Sequence, residues 1–143
     1  MDVKQLSVFL ENKPGTLNAM TAVLTEHNVD LRAMSLVETT DFGIARFIVS
    51  NVLETVTILK DAGYISSLTP VVVAEIPDEP GSLNNVLKIF TENEINVEYM
   101  YAFLGSKEGC AHMIFRVPDS VKASAALVSN GIRILEQEDL ADL

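Results

Sequence analysis

Slid along itself by 66 positions, the chain matches itself: Pro14 falls on Pro80, Gly15 on Gly81, Leu17 on Leu83, Asn18 on Asn84, Thr25 on Thr91 and Glu26 on Glu92. The match runs on through Met34 and Met100, Gly43 and Gly109, Ala45 and Ala111, and Ile48 and Ile114. After Arg116 the offset becomes 68, pairing Gly63 with Gly131, which places two extra residues of the second copy near "VPDS". Self-similarity at one long period marks a duplicated supersecondary unit. The 143 residues are therefore confined to two copies of one small fold, 1–69 and 70–143, meeting near Thr69 and Pro70.

Within each copy the hydrophobic period changes in a fixed order. "VKQLSVFL" alternates as a strand, with Leu6, Val8 and Leu10 on one side, and Leu17, Met20 and Leu24 then recur at helical spacing. "VDLRAMSLVE" and "GIARFIVS" read as two strands joined by a turn. "NVLETVTILKDAG" reads as a helix with Asn51 as N-cap and Gly63 as stop, and "YISSLT" closes the copy as a short strand. The second copy repeats the order: strand "VVVAEI", a helix with Leu83, Val86, Leu87 and Phe90, strands "NVEYMYAFL" and "GCAHMIFRV", a helix over 119–130 and strand "IRILEQ". Strand, helix, strand, strand, helix, strand predicts an α+β fold of two ferredoxin-like βαββαβ units, each an antiparallel sheet with its helices on one face. Tyr99, Tyr101 and Phe103 share one face of their strand while Met100, Ala102 and Leu104 share the other. Helices cover only one sheet face, so the second apolar face predicts burial against the other copy or a second chain, and with it a homodimer.

Twenty acidic residues against ten Lys and Arg give a net charge of −10, and the basic residues are scattered singly. Phosphate backbones and anionic lipid are repelled by such a surface, which excludes nucleic acid and membrane as expected partners. The charge divides unevenly: eight acidic and five basic residues leave −3 on 1–69, and twelve acidic and five basic leave −7 on 70–143. No targeting segment and no stretch of ~20 uncharged apolar residues is found, and the one cysteine, Cys110, has no partner for a disulfide. A cytoplasmic location is expected.

The chemistry gathers at two places. "NKPG" and "DEPG" each open a helix, at Pro14 and at Pro80. A Pro at the first helical position wastes no amide, the Gly permits close backbone approach, and the exposed N–H groups and helix dipole suit a carboxylate. Asn12 offers a donor and an acceptor, which suits both charges of a zwitterion. The same residue types also serve an ordinary strand-to-helix turn. Asp30 and Asn96, polar and at matched positions where strand 2 begins, favour binding.

"NKPGTL" with "HNVDLRAMSL", and again "DEPGSL" with "NEINVEYMYA", resemble the ACT domain, a ferredoxin-like module that binds amino acids and regulates their metabolism. The resemblance covers both halves, as in a stand-alone tandem ACT protein. It implies two units paired side by side, with a free amino acid held at the seam. The implied contacts are Asn12, Gly15, Thr16 and Leu17, ordered by Pro14, with Asp30 and Leu31 at the strand start of the first copy. In the second copy they are Asp78, Gly81, Ser82 and Leu83, with Asn96 and Val97. If each site joins the helix mouth of one copy to the strand start of the other, Asn12 faces Asn96 and Asp78 faces Asp30. The paired amides then suit a zwitterion, whereas the paired carboxylates repel its carboxylate.

Other chemistry is poorly supported. Cys110 and His112 share a strand face, yet zinc wants three or four ligands, so they read as a buried thiol and a hydrogen-bonded imidazole. No nucleophile context and no phosphate-cradling glycine loop occurs, and the acidic end "EQEDLADL" reads as a solvated tail. Neither a metal nor a cofactor is expected, and the chain is expected to be non-catalytic. The leading expectation is an amino-acid-binding regulatory protein. The alternative is a regulatory subunit of an amino-acid biosynthetic enzyme, of the acetolactate synthase small-subunit type.

Overall fold

The structure, a computed structural model, describes residues 2–143. The chain divides into two compact units, Lys4–Thr69 and Pro70–Leu143, with Asp2 and Val3 grouped with the latter. In the first, the elements are β1 (Val3–Glu11), α1 (Thr16–Glu26), β2 (Leu31–Glu38), β3 (Phe42–Val49) and α2 (Val52–Asp61). β4 (Ser66–Pro77) closes this unit and continues as the first strand of the next. The second unit adds α3 (Ser82–Glu92), β5 (Tyr99–Ala102), β6 (Cys110–Arg116), α4 (Ser120–Ser129) and β7 (Arg133–Leu135). The strand orders, β2-β3-β1-β4 and β5-β6-β4-β7, are those of two ferredoxin-like units. No helix among the described residues is long and apolar enough to cross a membrane.

Alternation decides which side of each strand is buried. In the first unit Leu6, Val8 and Leu10 of β1 and Ala45 and Phe47 of β3 pack under Met20 and Leu24 of α1 and Leu59 of α2. In the second, Val72, Ala74 and Ile76 of β4 and Phe115 of β6 meet Val86 and Phe90 of α3 and Leu127 of α4. Phe90 stands edge-on to Phe115, with ring centroids 5.2 Å apart, an arrangement that aligns ring edge with ring face.

The helix boundaries follow local chemistry. Asn51 Oδ1 accepts from the Glu54 N–H, and Asp119 Oδ1 from the Lys122 N–H, capping α2 and α4. α1 and α3 end alike: the N–H of Val29 reaches Leu24 O at 2.9 Å and that of Ile95 reaches Phe90 O at 2.8 Å. These six-to-one bonds need a left-handed residue just before, supplied by Asn28 at φ 57° and Glu94 at φ 55°.

Three features depart from the sequence expectations. "YISSLT" and "VVVAEI" are not two strands but one, because Thr69 and Pro70 both favour extended backbone and do not interrupt β4. The acidic C-terminal segment is not a solvated tail: Gln137–Asp142 forms a 3-10 helix with a reciprocal cap between Glu136 and Asp139, and Leu140 is fully buried. The two extra residues of the second copy also lie elsewhere. Leu6 pairs with Phe47 and Val72 with Phe115, while Met34 pairs with Phe47 and Met100 with Phe115. β6 therefore already stands at offset 68, and the insertion sits in the β5–β6 hairpin rather than near "VPDS". The matches of Gly43, Ala45 and Ile48 at offset 66 are out of structural register.

The sheet face away from the helices differs between units. In the second, Val71, Val73 and Ile114 are buried on that side, so it presents no bare apolar sheet there. Beside them Glu75 receives His112 Nε2 at 3.1 Å, Lys107 Nζ at 3.2 Å and Arg133 Nη1 at 3.3 Å. A carboxylate only accepts, so Nε2 carries the hydrogen, and His112 Nδ1 is 2.8 Å from the Ser106 hydroxyl. Burial pushes the Glu75 carboxyl up, but the hydrogen bonds from His112 and Lys107 and the charges of Lys107 and Arg133 outweigh it, leaving it below its ordinary value.

Glu94→Gly relieves a left-handed non-glycine residue and is expected to stabilise the fold by roughly 1 kcal/mol, read as a raised denaturation midpoint. Glu75→Gln is expected to cost about 2 kcal/mol at neutral pH, the scale of hydrogen bonds to a charged group. Because the folded carboxyl is depressed, this stability is full above the unfolded value near 4.5 and disappears as pH falls through the lower folded value. Melts of native and variant protein converging in acid, and separating at neutral pH, are the expected outcome.

Candidate functional site

Each Pro-Gly step makes the same backbone turn. Gly15 has φ 89° and Gly81 φ 91°, and each is the N-cap of its helix with no side-chain hydrogen bond to the first turn. Only glycine adopts that left-handed conformation at little cost. The N–H of Thr16 is taken by Lys13 O and that of Ser82 by Glu79 O. Those of Leu17 and Asn18, and of Leu83 and Asn84, meet no acceptor among the described residues. Two outward amides at a positive helix end form a cradle for an anion. Leu17 and Leu83 turn their side chains onto the two cores, which fixes the direction of those amides.

The two mouths differ in what surrounds the amides. At the first, Asn12 Nδ2 donates to Glu38 Oε2 at 3.0 Å and to Thr39 O at 3.2 Å, and Thr16 Oγ1 donates to Glu11 O and Lys13 O. Lys13 pairs with Glu11 at 2.9 Å, and that hydrogen bond, with the charge of Glu11, raises the lysine pKa. The space left is about 70 Å3, lined by Asn12, Thr16, Leu36 and Glu38. At the second, Asp78 and Glu79 stand where Asn12 and Lys13 do, and the Ser82 hydroxyl meets no hydrogen-bond partner among the described residues. Gly81 and Ser82 line a cavity of about 400 Å3 with Glu75, Glu79 and Asn85. Asp78 lines another, of about 380 Å3, with Lys107 and His112.

The residues that open β2 and its counterpart lie at the far end of each unit. α1 has 11 residues, so at 1.5 Å per residue Asp30 is separated from Asn12 by about 16 Å. No single unit brings Asn12 together with Asp30, or Asp78 with Asn96. Asp30 pairs with Arg32 at 3.6 Å and lines a cavity of about 340 Å3 with Ser50, Asn51 and Glu54. Leu31 and Val97 pack onto the cores. No cluster of His, Cys, Asp and Glu suited to a metal ion occurs among the described residues.

Sequence reasoning did not single out Glu38 and Thr39, whose link to Asn12 depends on the β2–β3 turn folding back over β1. Nor did it find the partners of His112, since Glu75 lies 37 positions away. The exchange of Lys13 for Glu79, by contrast, was readable from the repeat.

The sequence model of the ACT domain pair matches residues 1–143. Comparison with curated proteins gives no match. Among solved structures, protein BT0572 from Bacteroides thetaiotaomicron is 36% identical, with a TM-score of 0.92 over 100% of this chain and 98% of that one. The regulatory subunit of aspartate kinase from Thermus thermophilus, in its ligand-free form, superposes with a TM-score of 0.69 at 16% identity, covering 92% of each chain. That from Thermus flavus gives 0.61 at 13% identity, over 90% of this chain and 92% of that one. With two βαββαβ units, a Pro-Gly helix mouth in each and a match along its whole length, the chain belongs to the ACT domain pair family.

Proposed function

We propose that the protein is a non-catalytic regulator that binds a free amino acid, with the ligand's carboxylate on the unpaired amides of a Pro-Gly helix mouth. The observation that carries this reading is the repeated glycine cap, which leaves Leu17, Asn18, Leu83 and Asn84 with free N–H groups in a chain of the ACT domain pair family. The first mouth is the tighter site. Asn12 keeps Oδ1 open to an ammonium while Nδ2 holds Glu38, and the Lys13–Glu11 pair is neutral where the second mouth has Glu79. Exposed charges are screened beyond ~8–10 Å, so the residues flanking the proline dominate that difference. The contacts proposed for Asp30, Leu31, Asn96 and Val97 come from the family resemblance and need a paired ACT unit to reach a mouth. The reading carries with it a cytoplasmic location.

A second reading, the regulatory subunit of an amino-acid biosynthetic enzyme, is favoured by superposition over 92% of a separate regulatory subunit of aspartate kinase. It differs from the first in requiring a catalytic chain. Co-purification of such a chain in fixed stoichiometry supports it, and tagged protein that purifies alone from the native cell speaks against it.

Melting of the isolated protein against each of the twenty amino acids tests the main reading. A ligand at 100 times its dissociation constant adds about 2.7 kcal/mol, and one or a few amino acids are expected to raise the melting temperature while the rest leave it unmoved. Twenty flat responses at millimolar concentration overturn the reading. For the ligand so found, Asn12→Ala is expected to weaken binding by at least about tenfold, or 1.4 kcal/mol, because it removes a ligand contact and leaves Glu38 facing the carboxylate. Asp78→Ala is expected to change affinity little, and calorimetry showing the reverse order would assign the ligand to the second mouth.

A further inference from the structure

Glu75, His112 and Ser106 form a chain of hydrogen bonds in the second unit. Glu75 Oε1 lies 3.1 Å from His112 Nε2, and His112 Nδ1 lies 2.8 Å from Ser106 Oγ. With Nε2 protonated toward the carboxylate, Nδ1 keeps its lone pair, so the Ser106 hydroxyl donates to the imidazole. Carboxylate, imidazole and hydroxyl in that order activate serine in hydrolases of several unrelated folds; here the two ring nitrogens are exchanged. His112 is 1% exposed, whereas Ser106 stands in the exposed part of the β5–β6 hairpin. The base is shielded and the nucleophile is accessible.

The first unit carries none of this. In structural register Phe9 stands where Glu75 does and Ile44 where His112 does, and the hairpin that would bring a serine is shorter. Since that unit builds the same sheet with apolar side chains, the fold does not call for a buried imidazole and carboxylate, whose desolvation is costly. Ser106 lines a cavity of about 380 Å3 walled by Ala102, Phe103 and Ala111, and the Phe103 ring lies 5.2 Å from that of His112. The N–H groups of Lys107, Glu108 and Gly109, which follow the serine, meet no acceptor among the described residues. They are donors available to a developing oxyanion.

We propose that Ser106 is a nucleophile that accepts an acyl group from an activated donor, an aryl ester or a thioester. As Oγ bonds to the acyl carbon, the hydroxyl proton passes to His112 Nδ1, and Glu75 stabilises the imidazolium so formed. The bond from the acyl carbon to the departing oxygen or sulfur then breaks, and that atom takes the proton from Nδ1, leaving the imidazole neutral. Lys107 and Arg133 hold the same carboxylate at 3.2 and 3.3 Å, which leaves less of its charge for the imidazolium. The relay therefore suits donors with good leaving groups rather than amides. Asp78 and Glu108 line the cavity and repel anionic acyl groups, so the group transferred is short and uncharged. The result is a covalent mark on the chain itself, separate from the amino-acid site.

Treatment of the native chain with p-nitrophenyl acetate, with the acetyl group placed by peptide mass spectrometry, tests this. Ser106 is expected to be acetylated at least about 100-fold faster than the other serines, the lower end of what general-base assistance supplies. His112→Gln is expected to lose that advantage with an unchanged circular dichroism spectrum. Should that variant misfold, the pH profile of the native chain decides: an assisted rate levels off once the imidazole is neutral, whereas an unassisted hydroxyl speeds up in step with hydroxide. Cys110 lines the same cavity and is a rival acceptor, so Cys110→Ala is expected to leave the Ser106 label in place. An unlabelled Ser106, a label formed at the native rate in folded His112→Gln, a rate that climbs with hydroxide throughout, or a label lost in Cys110→Ala overturns the proposal. Because no amino acid is present, none of these results bears on the ligand-binding reading.

Discussion

Burial of one sheet face beneath two helices is the constraint on which the rest depends. A four-stranded sheet cannot leave its inner row of Leu6, Val8, Ala45 and Phe47 in water, and α1 and α2 are the shortest cover the chain supplies. Helices laid on that face must begin near the end of the strand before them. The first free amides of α1 and α3 therefore emerge at the sheet's end, beside the hairpin that returns from β2 or β5. The candidate ligand site is thus a by-product of how the core is closed.

What was legible in the sequence follows from which forces are local. Alternation in β1 and β4, the 3.6-residue period of α1 and α3, the Asn51 and Asp119 caps and the left-handed glycines are all set within a few residues, so sequence reading found the elements and both mouths. Register is set across strands. The identity of Gly43 with Gly109, at the tips of hairpins of unequal length, suggested an alignment two residues out, whereas the matching burial of Phe47 and Phe115 restores it. The unbroken β4 was missed because the junction of the two copies at Thr69 and Pro70 was taken as the boundary of two strands, although an extended strand satisfies the φ of Pro70.

Side-chain commitments were the least legible part. Asn12 reads as an open amide, yet its Nδ2 already holds Glu38 and Thr39, so a ligand at that mouth meets a residue oriented in advance rather than a free rotor. His112 reads as a hydrogen-bonded imidazole, but the sequence does not name its partners, Glu75 on another strand and Ser106 in a hairpin loop. Duplication makes such differences informative. At matched positions on one scaffold, one copy has Lys13, Phe9 and Ile44, and the other Glu79, Glu75 and His112.

Phe9 and Ile44 in one copy, matched by Glu75 and His112 in the other, give the two copies opposite responses to their medium. Sulfate and similar salts, being excluded from protein surfaces, strengthen burial of apolar groups such as Phe9 and Phe42. The Glu75 cluster gains nothing from that, and its pairs with Lys107 and Arg133, whose side chains are more than half exposed, are weakened by ionic screening. Matched positions of one duplicated sheet thus respond to added salt in opposite senses.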